Sequence, residues 1–444
     1  MGPSLSRGAG EGLFRVARAH YLLQPMASLS SEVDVAVIGA GAAGIAAARH
    51  LAADSGVSVL VIEARERPGG RAWTVEADGI PMDLGCEWLH SADRNVLAAL
   101  AKQLGFGINE RRPDWTTRLR YSGESLAAEA DWIAEREAFY WAVHRLAQLP
   151  EDSPCSAALT PGGRWNALLD ATSTWGNAVE LDQISAKDND CYEDSGINWR
   201  LTRGYGRLFE ALADGLPIAY GTQATRIDHR GAMLAIETNR GTVRAKRVII
   251  AVPSAIIAEE RLVFDPPLPD KLAAAHGLPL GLADKLFFHF EGGEDISERY
   301  LIGSTRRRET MSYQIRPMGR PRIYCFFGGR FAAGLERDGI DAMAAFATDE
   351  LAGLLGSDVR RNLRPLKASF WRQDEFARGS YSYALPGHSG DRAKLAMPVD
   401  DRLFFAGEAC SLNFFSTAHG AYETGTAAAT AALAHSFARG VGAR

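Results

Sequence analysis

Apolar positions occur along the chain in two periods, and the clearest alternation between them lies near the amino terminus. Residues 33–38 and 57–62 are short apolar runs rich in valine and isoleucine, each the length of a buried strand. Between them stand Gly39-Ala-Gly41-Ala-Ala43-Gly44 and an alanine-rich helical stretch, 45–53, and the second run closes on Glu63. A strand, a glycine turn, a helix and a strand ending in an acid form the pattern of a dinucleotide-binding unit. Gly39 permits a tight turn, Gly41 lets the backbone approach a pyrophosphate, and Gly44 lets helix and sheet pack closely. The helix N-terminus offers unpaired N–H groups and the positive end of a dipole to the phosphates. Glu63 lies 19 residues past Gly44, where a ribose-binding acid belongs. That acid argues against a 2′-phosphate, and so for FAD or NAD over NADP.

The later tracts continue the two periods. Residues 92–150 are mostly helical, with Val96, Leu97, Leu100 and Leu104 on one face, and a turn-rich, Trp-bearing tract follows to about Trp199. Thr202-Arg-Gly204-Tyr-Gly206 is a loop opening a helix. Residues 224–227, 233–238 and 247–253 read as meander and core strands, the last ended by Pro253. Pro266-Pro267-Leu-Pro269 marks a boundary, beyond which 281–290, 299–303 and 322–329 are β-rich and 340–356 is helical. Residues 403–408 read as a buried strand and 418–436 as a small-residue helix that packs closely.

Composition narrows the class. With 444 residues, 46% hydrophobic and 23% charged, the chain can bury the cores of two domains. A net charge of −5 leaves no electrostatic footprint for nucleic acid and tolerates a cationic substrate. Five scattered cysteines, Cys86, Cys155, Cys191, Cys325 and Cys410, form no CxxC pair or Cys/His cluster. Free thiols, no metal and a reducing cytoplasm are expected. No apolar run approaches the ~18 residues that a membrane helix needs. In residues 1–30, Arg7, Arg15 and Arg18 among apolar residues suggest a targeting peptide; the plainer expectation is a frayed extension before Met26.

Past Glu63 the chain reads Ala64-Arg65-Glu-Arg-Pro-Gly69-Gly70-Arg71. An acid, a basic residue and Gly-Gly-Arg behind a complete βαβ unit resemble the flavin amine oxidase superfamily, where this stretch wraps the FAD diphosphate. The resemblance selects FAD and implies cofactor contacts from Gly39, Gly41, Ala43, Gly44, Glu63, Ala64, Arg65, Gly70 and Arg71. Further tracts are similar to the polyamine oxidases of that superfamily. Asp83-Leu-Gly85-Cys86-Glu87-Trp88-Leu-His90 looks like the stretch beside the flavin ring, which implies Gly85, Cys86, Glu87 and Trp88 at the cofactor. Glu87, Trp88 and His90 would also face substrate. Ala224 falls on a strand whose backbone meets adenine in the family. Trp371…Asp374…Gly379-Ser380-Tyr381-Ser-Tyr383 is similar to a tract that places Trp371 near the isoalloxazine and makes Tyr381 a wall of the amine pocket. Gly407-Glu408 matches the acid that binds the ribityl or phosphate region. Backbone N–H groups near Thr417 and Ala418 would meet the pyrimidine edge, with Thr417 also at the substrate.

Lys285, in Gly281-Leu-Ala-Asp284-Lys285-Leu-Phe-Phe, sits on an apolar strand, where a lysine must be paired, neutralised or functional. Read alone, it is a snorkelling lysine at a strand edge. The resemblance implies a lysine hydrogen-bonded through water to flavin N5. Glu87 is open between an anchor for a substrate ammonium and a salt bridge to an arginine. Asp182, Asp188, Asp190, Glu193 and Asp194 read as a solvated acidic face, and His419 as structural. Ser380 stands where monoamine oxidases tether their flavin through cysteine, so FAD should be non-covalent. Ser416-Thr417-Ala418-His419-Gly420-Ala421 lacks the second cage tyrosine of those enzymes.

The fold expected is α/β: a Rossmann-like FAD-binding domain of the GR2 type interleaved with an α+β substrate domain. The boundaries expected are 31–91, 200–262 and 372–440 for the first domain, and 92–199 and 263–371 for the second. The resemblance implies an FAD-dependent amine oxidase with Lys285, Trp371 and Tyr381 as catalytic residues. A neutral amine, a polyamine by the motifs, would pass a hydride to N5; the imine would hydrolyse and O₂ would take the electrons. The partners expected are a small-molecule amine and O₂, in a monomer or homodimer. A desaturase or protoporphyrinogen-type oxidase of the same superfamily, and a catalytically silent FAD-binding protein, are the alternatives. No long coiled-coil insertion interrupts the chain, which argues against histone demethylation.

Overall fold

Two sheets organise the chain and hold the candidate site between them. The computed structural model describes residues 31–437 except 55, 114, 116–118, 120, 121, 294 and 295, so the expected N-terminal extension lies outside the described residues. Strand Ser31–Ile38, buried along its second half, pairs in parallel with Val59–Ile62 on one side and Gly241–Ile250 on the other. Around it runs an eight-stranded mixed sheet in the order Val263–Asp265, Ala224–Asp228, Leu234–Thr238, Gly241–Ile250, Ser31–Ile38, Val59–Ile62, Ile218–Ala219. The eighth strand, Leu403–Phe405, pairs in parallel with the end of Gly241–Ile250. Segments far apart in sequence thereby end side by side at one edge, the usual ligand position in an open parallel sheet. Glu408 lies past the end of its strand, in a 3₁₀ turn Glu408–Cys410, and not within the strand as expected.

Helices Ala42–Ala52 and Ala418–Phe437 pack together against this sheet. A Cβ at Gly425 would stand 2.0 Å from the Ala43 carbonyl oxygen, so the two backbones touch and only glycine fits. The small-residue composition of the last helix is what permits that approach.

The second sheet is antiparallel, in the order Arg299–Ile302, Ser312–Ile315, Arg322–Gly328, Ala283–Phe290, Leu363–Ala368. A core that includes Leu286, Tyr313, Ile323, Phe327, Met343 and Leu351 packs against helices Gly329–Asp338 and Ile340–Leu355. A third cluster, around Trp132, Trp165 and Trp175, joins helix Leu126–Ala147 to helix Asn166–Gly176. The tract expected to be turn-rich therefore contains an 11-residue helix, because Leu168, Leu169 and Trp175 form a buried face that its polar and turn-forming residues obscure.

In the acidic stretch Asp182, Asp190 and Asp194 are exposed, as a solvated face requires, and Asp188 is the member that departs from expectation. Asp188 is only 2% exposed and pairs through both oxygens with Arg392, at 2.7 and 2.8 Å. Asp194 accepts from Ser91 Oγ and the Gly196 amide, and Glu193 from Arg94 and Asn413. A partner 204 residues away, invisible to local pattern, turns this one acid into an internal tie. His419 is buried against the Phe414 ring. All five cysteines are free. Among the described residues, no helix is long and apolar enough to cross a membrane and no cluster of His, Cys, Asp and Glu suits a metal.

Candidate active site

The nucleotide end is shaped by backbone. Gly39 has φ +101°, and a Cβ there would lie 2.7 Å from the Ala251 carbonyl oxygen. A Cβ at Gly44 would come within 1.8 Å of the Gly39 oxygen, so helix Ala42–Ala52 can start only with glycine there. Gly41 caps that helix without a side-chain hydrogen bond, and its own Cβ position is empty out to 4 Å. The first-turn amides are thus left to a ligand, at the positive end of the helix dipole. Glu63, at 4% exposure, accepts from the Ala40 amide at 2.6 Å and the Arg65 amide at 2.8 Å. Burial pushes its carboxyl above the usual range, against those two hydrogen bonds. These features fit an adenine dinucleotide: a diphosphate cradle that side chains would fill, and an acid at ribose distance along the next strand.

Distant segments cross at the middle of the cleft. Arg71 Nη1 donates to Glu408 Oε1 at 3.0 Å and also to the Ser380 carbonyl. Glu408 further accepts from Ser382 Oγ at 2.6 Å and the Ser416 amide at 3.0 Å. Burial alone would raise the Glu408 pKa, but Arg71, Ser382 and Arg392 outweigh it and hold the carboxyl below its ordinary value. Arg65 pairs with Asp374 and lies over the Phe376 ring.

The loop after strand Ile80–Asp83 makes the next wall. Gly85 is required because a Cβ would sit 1.8 Å from the Arg71 oxygen and 2.9 Å from the Trp371 ring. Trp371, 4% exposed, is locked by Nε1 donating to the Leu84 carbonyl at 3.1 Å and by its amide donating to Asp284 Oδ1 at 3.3 Å. Burial lifts the Asp284 carboxyl to about 8 and that of Asp83 to about 6. Lys285 donates to the carbonyls of Asp83 (3.0 Å) and Gly85 (2.9 Å) and to Glu87 Oε2 (2.8 Å). Of the two readings of Glu87, the salt bridge is realised, with Lys285 as the close partner and Arg200 Nη1 farther off at 3.9 Å.

The remaining side chains form an aromatic chamber. Trp88 meets Trp115 edge-on at 5.1 Å between centroids, and Arg200 lies over the Trp88 ring. The Tyr381 hydroxyl donates to the Trp175 carbonyl at 2.6 Å, which fixes the ring as a wall. His90 Nδ1 pairs with Asn198 Oδ1 at 2.6 Å, and burial lowers its pKa, so it faces the chamber neutral. Thr417 caps the last helix: its hydroxyl donates to the Phe414 carbonyl and accepts from the Gly420 amide.

One continuous cavity of about 900 Å³ takes in the cradle, the cleft and the chamber. Lining it are Gly39, Gly41, Ala43, Glu63, Ala64, Arg65, Gly70, Arg71, Gly85, Cys86, Glu87, Trp88, His90, Ala224, Lys285, Trp371, Tyr381, Gly407, Glu408, Thr417 and Ala418. Gly44 alone of the expected residues does not line it and stands behind the turn as a packing position. Sequence reasoning missed Trp115, Trp175, Tyr300, Tyr324 and Phe326 as lining residues. Apart from Tyr324 and Phe326, which share strand Arg322–Gly328, they come from separate segments, with no local signal to distinguish them from core.

A mixed sheet whose parallel strands end at a glycine cradle, opening into an aromatic chamber, defines a dinucleotide-dependent oxidoreductase class. The chain belongs to the family of flavin-containing amine oxidoreductases, whose model matches residues 42–139 and 143–433. It is 30% identical to polyamine oxidase 2 of Arabidopsis thaliana over 432 residues, covering 89% of this chain and 87% of that protein. It is 31% identical to lysine-specific histone demethylase 1 homolog 1 of Oryza sativa subsp. japonica, covering 88% of this chain and 51% of that one. Among solved structures, putrescine oxidase superposes with a TM-score of 0.75 at 19% identity over 91% of this chain and 100% of its own. Cyclohexylamine oxidase from Brevibacterium oxydans gives 0.74 at 19%, over 91% and 99%.

Proposed function

We propose that the protein oxidises a C–N bond of an amine, a polyamine in the first instance, with FAD held non-covalently and O₂ as terminal oxidant. The amine loses a hydride and a proton to become an imine, water splits the imine to an aldehyde and a shorter amine, and O₂ leaves as H₂O₂. The observation that carries this reading is the single cavity joining the glycine cradle to the aromatic chamber. FAD bound in the cradle supplies the two-electron acceptor.

The chain's own residues supply position and exclusion. The turn at Gly39–Gly44 and Arg71 bind phosphate charge, Glu63 accepts ribose hydroxyls, and Trp371 and Tyr381 shape the space where a C–H bond is aligned. Aromatic walls favour a neutral amine at the reacting end, because an ammonium there would be desolvated without a free carboxylate. Rate should therefore rise with pH as the amine deprotonates. Asp190 and Asp194 line the same cavity and suit a second ammonium of a longer amine. Non-covalent binding is supported by Ser380, whose hydroxyl is engaged by both the amide and the carbonyl of Ala283. Burial also lifts the Cys86 thiol to about 11 and that of Cys410 to about 12, so both stay protonated and unreactive near neutrality. Five free thiols suit a reducing compartment such as the cytoplasm.

The test is anaerobic mixing of the purified protein with spermine, spermidine, putrescine, aromatic amines and amino acids. Bleaching of the flavin band by one of the polyamines is expected. A protein that takes up no FAD, or a flavin bleached by none of the amines, would refute the reading.

A further inference from the structure

An ammonium has three N–H donors, and on Lys285 all three are spent: two on main-chain carbonyls of the loop after Ile80–Asp83 and one on Glu87 Oε2. One of the three therefore goes to a carboxylate in the wall of the cavity. That carboxylate is Glu87. Its second oxygen, Oε1, is buried without a hydrogen bond and lies 3.9 Å from Arg200 Nη1, so the carboxylate stands between two buried cations. Arg200 is itself held by Glu298. Asp83 gives Lys285 only its carbonyl, since its carboxyl is taken by Thr74 and the Tyr205 amide. The charge opposing Lys285 within hydrogen-bond distance is therefore that of Glu87 alone. All of this lies in the wall of the cavity beside Gly85 and Trp371.

We propose that Glu87 is a positioning residue for the oxidation, and that it acts by holding Lys285 as one half of a neutral pair. Glu87 pins the ammonium to the loop that carries Gly85 and Trp88, and it cancels a positive charge that would otherwise face the reacting groups. Lys285 then serves as the clamp of that loop. This rests on the FAD reading above.

A double-mutant cycle over Glu87→Gln and Lys285→Met tests it, read by the midpoint potential of the bound flavin and by the melting temperature of each variant. Glu87→Gln leaves an unbalanced cation and should shift the potential positive, because reduction brings negative charge. Lys285→Met leaves an unbalanced carboxylate and should shift it negative. The double variant should return close to the wild-type potential, and it should melt higher than the sum of the two single losses allows. A role confined to packing would leave the potential of Glu87→Gln, nearly isosteric with the parent, where it was. FAD retained with the potentials of both single variants unmoved, or with a double variant displaced from wild type as far as a single one, overturns the role of Glu87 and leaves the oxidase reading intact. A protein that binds no FAD overturns the oxidase reading itself, and the Glu87 role with it.

Discussion

At the nucleotide end of the cavity the contacts are backbone: first-turn amides, glycines whose Cβ would collide with a carbonyl, and one acid held by two amides. At the amine end they are side chains from at least six separate elements, held by long-range hydrogen bonds such as Tyr381 to Trp175 and Trp371 to Leu84. The first end needs a local conformation, and a few consecutive residues specify it. The second needs a convergence, and no short stretch contains it. The nucleotide end should therefore fail all at once when its backbone is disturbed, whereas the amine end should fail by degrees.

The largest effect should come from Gly44→Ala. Its Cβ would meet the Gly39 carbonyl at 1.8 Å, and relief requires moving the helix off the sheet. We expect a cost of at least about 3 kcal/mol, more than a hundredfold in FAD affinity. A variant purified with full flavin absorbance would show that the end is not limited by backbone contact.

Next is the pH response of Asp284, which supports Trp371. Burial raises its carboxyl to about 8 in the folded protein, whereas an unfolded chain titrates near 4. Folding takes up a proton across that window, so its contribution to stability is complete below about pH 4 and is lost as pH rises to about 8. Asp284→Asn cannot titrate and keeps an oxygen for Ser369 and the Trp371 amide. Its stability relative to wild type should therefore improve by about 3 to 5 kcal/mol between pH 4 and 8, then level off. Chemical denaturation of both proteins at several pH values reads this directly, and parallel pH profiles would remove the buried-acid account.

Lys285→Met should keep FAD and reduce kcat by about a hundredfold, through loss of the loop clamp and an unpaired Glu87. Unchanged turnover would take the lysine out of the mechanism. The smallest effect expected is that of Tyr381→Phe, which removes one hydrogen bond worth about 1 kcal/mol and keeps the aromatic wall. A severalfold rise in KM with little change in kcat is predicted from steady-state kinetics. A fall in kcat as large as that of Lys285→Met would make the hydroxyl a participant in the reaction, beyond a prop for the ring.

Legibility in the sequence followed the same division. The βαβ unit, the Gly-Gly-Arg turn and the loop at Asp83–His90 could each be located because the chemistry of each lies within one unbroken stretch of chain. Helices Ile340–Leu355 and Ala418–Phe437 were legible, the second from its run of small residues. Helix Asn166–Gly176 was not, because its buried face is assembled in one cluster with Trp132, Phe139 and Val143 of helix Leu126–Ala147. Asp188 looked like solvated surface until Arg392 was brought to it. The Thr417 motif likewise does not reveal that its hydroxyl serves a helix cap.

By itself, then, the order of residues determined the nucleotide cradle, the family and the set of polar groups that would gather around one cavity. Those depend on glycine placement and on motifs whose geometry is local. Only the tertiary structure decided the partner of each group: that Glu87 lies on Lys285, that Asp188 is buried on Arg392, and which single aromatics close the chamber. Pairing of that kind is set by how strands from both halves of the chain come into register. A buried charge takes whichever opposite charge that register delivers, because leaving it alone in a low dielectric costs more than any local preference.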